Sequence, residues 1–555
     1  MWFQIYDPLG NQWLSAFVAL LPILLFFVSL VYLNLQGYVA GFLTVVLATL
    51  IALFVYDMPL TNAIGSLIYG GLYGLWPIAW IIIAAIFLYK LTVKSGYFDI
   101  LRESIIAITP DQRIQVILIG FCFGAFLEGA IGFGGPVAIT AALLVGLGLR
   151  PLYAAGLCMI ANTAPVAFGA VGIPIIAMAG ALNFPALEIS SMAGHMLPPL
   201  SVFIPFFLVF LMDGLKGVKE TWPVALVAGG SFALIQYLTA TKLGPELPDI
   251  ASAVVSIIVV ALFLRIWKPK NVFKFDEEVG GKANVENKPN YSVGQIILAW
   301  LPFVILILAI IVWTQPWFKA LFAKDGALNF LVFRFEISGL IGIMQNIPVV
   351  PEPKAVNSIF TFPLINTVGT SIFLVAIITM IILRVKVSTA IKTFGETLNE
   401  MKFAILTIAL VVGFAFISNY SGISASLALA LAQTGDAFAF FSPVVGWIGV
   451  FLTGSDTSSN LLFGGLQQLT ARALDIPEVL FLAANSVGGV VGKMISPQSI
   501  AIACAAVGLV GRESDLFKFT VKYSIIFVIV IGLFTYALAM LHKNGVIDLL
   551  AITTP

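Results

Sequence analysis

The sequence predicts an all-α polytopic membrane protein made of two halves, each carrying an interrupted helical segment. Three observations predict it. Of 555 residues, 60% are hydrophobic and only 10% charged, with a mean hydropathy of +1.06. A soluble domain carries about 25% charged residues and needs that charge on its surface. Apolar runs at 13–33, 39–56, 75–89, 196–211, 250–264, 296–313, 359–383, 403–417 and 524–541 approach or exceed the ~20 residues that cross a bilayer. Finally, a polar phrase occurs twice inside this apolar chain, at 126–177 and at 451–503.

Measured against a hydrocarbon core of ~30 Å, the chain holds about 12–14 transmembrane helices. A barrel of membrane strands would need ~10-residue segments of alternating polarity, and the runs do not alternate. A linker at 267–292 is charged, holds Gly and Pro, and lacks an apolar period. It separates residues 1–266, with repeat copy 1, from residues 293–555, with repeat copy 2.

Basic residues gather at 90–113, 213–220, 265–291 and 384–402, and again at Arg512, Lys518 and Lys522. Basic loops stay cytoplasmic, which places the N-terminus and the 316–356 connection on the outer side. The start of the chain has no Lys or Arg before Lys90. A cleavable signal peptide is therefore not expected, and the first helix stays as an anchor.

The two copies correspond residue by residue. Phe126-Leu127 and Gly129 match Phe451-Leu452 and Gly454 at an offset of 325 (454 less 129). Ala161-Asn162, Gly169 and Pro174 match Ala484-Asn485, Gly492 and Pro497 at an offset of 323 (497 less 174). Both copies put Gly, Pro, Asn, Ser, Thr and acids where a span should be apolar. Such groups are tolerated at depth only where they line a cavity enclosed by protein. After copy 1 comes a loop with Glu188 and no base, then one more span before Lys216 and Lys219; copy 2 meets Arg512 almost at once. Equivalent points then face opposite sides. That is the mark of an inverted repeat with interrupted helices or re-entrant hairpins, whose matched breaks point to a transporter's binding site.

Glu128 is the first candidate residue. A carboxyl in a membrane segment is costly ionised and cheap protonated, which suits a proton carrier; a structural pairing or a helix cap is the alternative. The Gly132–Pro136 stretch that follows cannot sustain a regular helix, and Pro136 suits the first turn of a new one. Free N–H groups there would attract a carboxylate. In copy 2, Thr453 to Asn460 is small or polar throughout, and Asp456 is the matching acid three places along. Ser455, Thr457 and Ser458 can donate to a carboxylate, although such clusters usually form loops. Asn162-Thr163 and Asn485-Ser486 form the second matched pair, as caps or as ligands.

Lys493 is the cation nearest these motifs. It pairs with a substrate carboxylate, Asp456 or Glu128, or else snorkels to the interface. His195 is expected to be an interfacial structural histidine, His542 has no assigned role, and Arg150 and Arg472 set topology. Cys122, Cys158 and Cys504 are far apart in apolar segments and read as packing residues. No Walker motif, zinc-ligand spacing, nucleophile elbow or haem signature occurs, so neither an enzyme nor a cofactor nor a metal is expected. A net charge of +1 carries no nucleic-acid signal.

The chain closely resembles the bacterial L-lactate permease family. The resemblance is carried by Gly74 to Trp80, Ile108 to Arg113, Gly120 to Gly129, Asn162 to Gly169, Ala415 to Gly422, Phe451 to Asn460 and Gly492 to Ser499. It implies a proton symporter for small 2-hydroxymonocarboxylates (L-lactate, D-lactate, glycolate) in the bacterial inner membrane. The doubled Asn signatures also look like those of inverted-repeat ion transporters, some of which hold sodium. A sodium-coupled small carboxylate symporter is therefore the alternative. On this reading the substrate is held by Asn162, Thr163, Ser455, Thr457, Ser458, Asn485 and Lys493, and Glu128 or Asp456 carries the proton.

Overall fold

A bilayer offers backbone amides no water to bond, so a chain this apolar closes its hydrogen bonds within helices. The computed structural model is helical through most of its length and describes residues 1–33, 35–132, 135–275, 291–350, 352–510 and 512–553. Most of the 267–292 linker, from 276 to 290, lies outside the described residues, as do Phe133 and Gly134.

Among the described residues, eleven helices are long and apolar enough to cross a membrane, or 12 when the pair Pro151–Ala161 and Val166–Leu182, bent by 65°, is taken as one. Four further apolar helices, Gly135–Gly146, Val368–Ile382, Ile423–Ala432 and Pro497–Ala506, are shorter. Apolar length alone does not sort half-helices from spans. The run at 359–383, for instance, divides into a strand, Ile359–Pro363, and the helix Val368–Ile382. Short strands add a feature that hydropathy does not reveal. Val332–Glu336 pairs antiparallel with Ile359–Pro363, and Trp2–Phe3 pairs parallel with Ile343 and Met344.

The two copies fold alike. Copy 1 runs Gly124–Ala130, a break, Gly135–Gly146, a turn, Pro151–Ala161, a break, then Gly169–Leu182. Copy 2 runs Phe438–Thr453, a break, Asp456–Ala473, a turn, Glu478–Gly492, a break, then Pro497–Ala506. Prolines start the helices at Pro151 and Pro497, where a missing N–H costs nothing. Ala170, Val171 and Gly172 are left-handed, with φ of 45°, 59° and 75°. A Cβ on Gly172 would lie 2.2 Å from the Pro245 carbonyl oxygen, so position 172 has no room for a side chain.

The copies pack reciprocally. The last helix of copy 1, Gly169–Leu182, lies on the second of copy 2, and the last helix of copy 2, Pro497–Ala506, lies on the second of copy 1. The breaks do the same: Val166–Phe168 rests on Glu478–Gly492, and Lys493–Ile495 rests on Pro151–Ala161. Such exchange of partners is what a pseudo-two-fold axis produces.

Within copy 2 the first and third helices touch backbone to backbone. A Cβ on Gly446 would sit 1.9 Å from the Asn485 carbonyl oxygen, and one on Gly488 would sit 1.9 Å from that of Pro443. Lipid supplies no hydrophobic drive between helices, so small residues that admit close approach hold them together.

Charge is concentrated at one end. Arg113, 1% exposed, bonds Asp111, Asp213 and Glu220 at 2.8–2.9 Å through its terminal nitrogens, and the Asn271 carbonyl at 2.9 Å. Lys90 meets Glu400 at 2.5 Å and Lys94 meets Glu396 at 3.3 Å. The Val387–Ser421 helix starts at this end, and at its other end Asn419 and Tyr420 accept from the Gln4 amide at 3.0 and 2.9 Å. From Glu400 to Asn419 it climbs roughly 28 Å at 1.5 Å per residue, about the thickness of a bilayer core. The basic loops and the N-terminal strand therefore sit at opposite ends.

Removing Arg113 leaves three carboxylates facing one another. Arg113→Ala is expected to lower stability by about 3 kcal/mol or more, read as thermal unfolding in detergent. Gly488→Leu should abolish the folded yield. By contrast, Gly395→Ala, in an exposed helix position with nothing within 4 Å of a new Cβ, should raise stability by about 0.5–1 kcal/mol.

Candidate functional site

Both breaks of both copies converge on one place. A cavity of about 60 Å³ is lined from copy 1 by Glu128, Gly132, Val166, Gly169, Ala170, Ile173 and Pro174, and from copy 2 by residues around its two breaks, Gly454 to Thr457 and Lys493, Gln498, Ser499 and Ile502. At 10–15 Å³ for each water-sized probe, the space takes roughly four to six waters, the scale of a small organic anion.

Three helix starts open onto this cavity: Gly169–Pro174, Ser455–Thr457 and Gln498–Ser499. Ser455 caps its helix by accepting from the Ser458 N–H at 3.2 Å, and Ser496 caps the next by accepting from the Ser499 N–H at 3.2 Å. Uncapped N–H groups and aligned peptide dipoles make such a place favourable for negative charge.

The main charged contact crosses between the copies. Lys493 Nζ donates to Glu128 Oε1 at 2.7 Å, with Glu128 2% and Lys493 7% exposed. Asn162 Nδ2 donates to the other oxygen, Glu128 Oε2, at 3.2 Å. Gly169 packs against Glu128 so closely that a Cβ there would lie 2.8 Å from Oε1. The carboxylate is thus fixed from three sides, with Lys493 as its counter-ion.

Asp456 is held separately. Ser486 Oγ donates to its Oδ2 at 2.5 Å and Asn460 Nδ2 approaches at 3.4 Å. Asn460 also donates to the Pro174 carbonyl at 3.1 Å and accepts from Asn485 Nδ2 at 2.8 Å. Gln467 Nε2 in turn donates to Asn485 Oδ1 at 3.0 Å. This buried amide chain ties the second and third helices of copy 2 to the last helix of copy 1.

The structure therefore sorts the residues singled out in the sequence. Glu128, Ser455, Asp456, Thr457 and Lys493 are at the cavity wall. Asn162, Thr163, Ser458 and Asn485 are close by but not at the wall: Asn162 orients Glu128, Thr163 Oγ1 donates to the Ile160 carbonyl at 2.7 Å, Ser458 bonds its own helix cap, and Asn485 joins the amide chain. Sequence reasoning assigned no role to Gln498 and Ser499 at the wall or to Asn460 behind it, although all three stand inside its motifs; Ser486, also behind the wall, belongs to the matched Asn485-Ser486 pair. Sequence reasoning also passed over Asp249, which begins an apolar helix after Pro248 and reads as an ordinary first-turn acid. His195 bonds the Ser191 carbonyl at 2.8 Å within its own helix, and Arg472 pairs with Glu478. Among the described residues no three His, Cys, Asp or Glu side chains gather as metal ligands.

A bundle of membrane-crossing helices, with two interrupted copies closing on a buried charged cavity, defines a membrane transporter. A profile of the L-lactate permease family matches residues 15–542. The chain is 57% identical over 546 residues to Glycolate permease GlcA of Escherichia coli (strain K12), covering 96% of this chain and 97% of that one. It is 54% identical over 537 residues to the L-lactate permease of the same strain, and 50% over 550 residues to that of Bacillus subtilis (strain 168); each match covers 96% of this chain and 98% of the relative. The chain belongs to the L-lactate permease family. Among solved structures, a YdaH transporter from Alcanivorax borkumensis aligns over 79% of this chain and 86% of its own, at 15% identity and a TM-score of 0.34, a likeness too slight to carry an argument.

The ion pair makes a quantitative expectation. Lys493→Met strands a buried carboxylate and should cost about 3–5 kcal/mol, whereas the double variant with Glu128→Gln should recover most of it. A double-mutant cycle on thermal unfolding measures the difference.

Proposed function

We propose that this protein is a secondary transporter that imports L-lactate, and also D-lactate and glycolate, by proton symport across the bacterial inner membrane. Several strands support the reading. The relatives are named as L-lactate and glycolate permeases. The cavity is small, anion-friendly and carries one cation. The basic loops share one end, which the positive-inside tendency assigns to the cytoplasm, leaving the N-terminus periplasmic.

The observation that carries the proton is the Lys493–Glu128 pair. The cation an incoming carboxylate needs is already occupied. For the substrate to bind Lys493, Glu128 must let go, and a carboxylate so deeply buried cannot remain ionised without a counter-ion. Glu128 therefore takes a proton as the substrate takes Lys493. Binding of the anion and binding of the proton become one event, with Ser455 and Thr457 beside the carboxylate and the helix starts around it. Nothing in this scheme makes or breaks a covalent bond in the substrate, so the protein acts as a carrier and not an enzyme.

Energetics favour the coupling. An anion moving alone into an inside-negative cell works against about 2.3 kcal/mol per 100 mV. One accompanying proton cancels that charge and adds the pH gradient. In the scheme Asp456 keeps to its Ser486 and Asn460 partners and shapes the wall.

The test is transport by purified protein in liposomes. Labelled lactate should accumulate under an imposed pH gradient and stop doing so when a protonophore is added. Dependence on sodium with indifference to the protonophore would establish the sodium-coupled carboxylate symporter instead. Glu128→Gln should exchange labelled for unlabelled lactate yet fail to accumulate it, because Lys493 is then free of its competitor at every pH. Uphill uptake at the normal rate by that variant would exclude Glu128 as carrier.

A further inference from the structure

Behind the Glu128–Lys493 pair lies an acid that the scheme above does not use. Asp249, in the first turn of Pro248–Ile266, is 1% exposed, and neither of its carboxyl oxygens has a hydrogen-bond partner. It packs directly on the Glu128 helix: a Cβ on Gly129 would lie 2.7 Å from the Asp249 Cβ. An unpartnered carboxylate so placed would be a bare buried charge. In this state the group is consistent with a neutral acid holding an O–H that no neighbour takes.

The charged groups that act on Asp249 are Glu128 and Lys493. The other elements packed against its helix add little. Val116–Phe123 brings Cys122, whose Sγ meets Ser256 at 3.3 Å, and neither Gly169–Leu182 nor Val293–Thr314 carries a charged residue. Pro198–Lys242 holds Asp213 and Glu220 on Arg113 at the far end, while Lys242 is exposed at its close. Three residues before Asp249, in the connection ahead of the helix, stands Glu246. It is half-buried and acted on by Lys319 from the 316–356 connection. Burial holds its carboxyl up at about 7, against the smaller lowering effects of its own backbone N–H and Lys319.

We propose that Asp249 is the proton donor to Glu128, and that Glu246 recharges it from the side of the 316–356 connection. The inference rests on the proton symport proposed above. As substrate draws Lys493 away, the O–H bond of Asp249 breaks and one forms on Glu128, directly or across one water. Asp249 then regains a proton from Glu246, and Glu246 from solvent. The proton count balances: one enters from solvent, one resides on Glu128, and the two relay acids end as they began. Because Glu246 holds its proton below about pH 7 and loses it above, uptake is expected to fall as the outer pH rises through that value.

The experiment compares Asp249→Asn and Asp249→Glu in liposomes, reading both lactate exchange at equal pH and accumulation under a pH gradient. Asp249→Asn should keep exchange, in which a proton once on Glu128 stays there, while accumulation drops by about tenfold or more, and Asp249→Glu should restore part of the accumulation. Full accumulation by Asp249→Asn overturns the proposal. So does equal loss of exchange and accumulation in both variants, which would make Asp249 a scaffold residue. Wild-type protein that takes up lactate without proton entry would instead defeat the symport reading itself, whatever the variants do.

Discussion

One ammonium serves three carboxyls inside a protein interior. Among the described residues Lys493 is the one cation at the cavity wall, it bonds Glu128, and its charge also acts on the buried Asp456 and Asp249. Low dielectric makes this a strict constraint, since every uncompensated charge is costly there. The pair at 2.7 Å satisfies one carboxylate. The other two must be neutral or shared out to hydroxyl and amide donors, as Asp456 is by Ser486 and Asn460. On the proposed symport, a second anion joins the cavity only as the proton count rises with it.

The fold exists to make that arrangement possible. The breaks bring charged and polar side chains to the cavity wall, and each break here has its own local cause. Gly454 is left-handed at φ 71° and packs on Gln498; three successive left-handed residues start Gly169–Leu182. Left-handed turns at Ala170 and Val171 carry backbone strain of order 1–3 kcal/mol each, held in place by the reciprocal packing of the copies. Glycine-to-backbone contact holds the Phe438–Thr453 and Glu478–Gly492 helices of copy 2 together.

Much of this was legible in the sequence. The duplicated phrase located the breaks, and hydropathy established the membrane class, because both are local properties of the chain. The identity of the cavity-wall residues was legible only in part. Asn162 and Asn485 match in the repeat yet serve different partners, one orienting Glu128 and the other an amide chain. Their equivalence in sequence says nothing of which neighbour the other copy brings. Asp249 was hidden for a related reason: its surroundings come from the Gly124–Ala130 helix and Lys493, more than 100 residues away on either side, while its own neighbours look like a helix start. Arg113 reads as a loop charge from its flanks, and only the approach of Asp213, Glu220 and Asn271 makes it an interior knot.

The crossed seating of the breaks has a mechanical consequence. Val166–Phe168 leans on a helix of copy 2, and Lys493–Ile495 leans on a helix of copy 1. A rigid tilt of either copy would therefore press on the break of the other, which ties the two walls of the cavity into one mechanical unit.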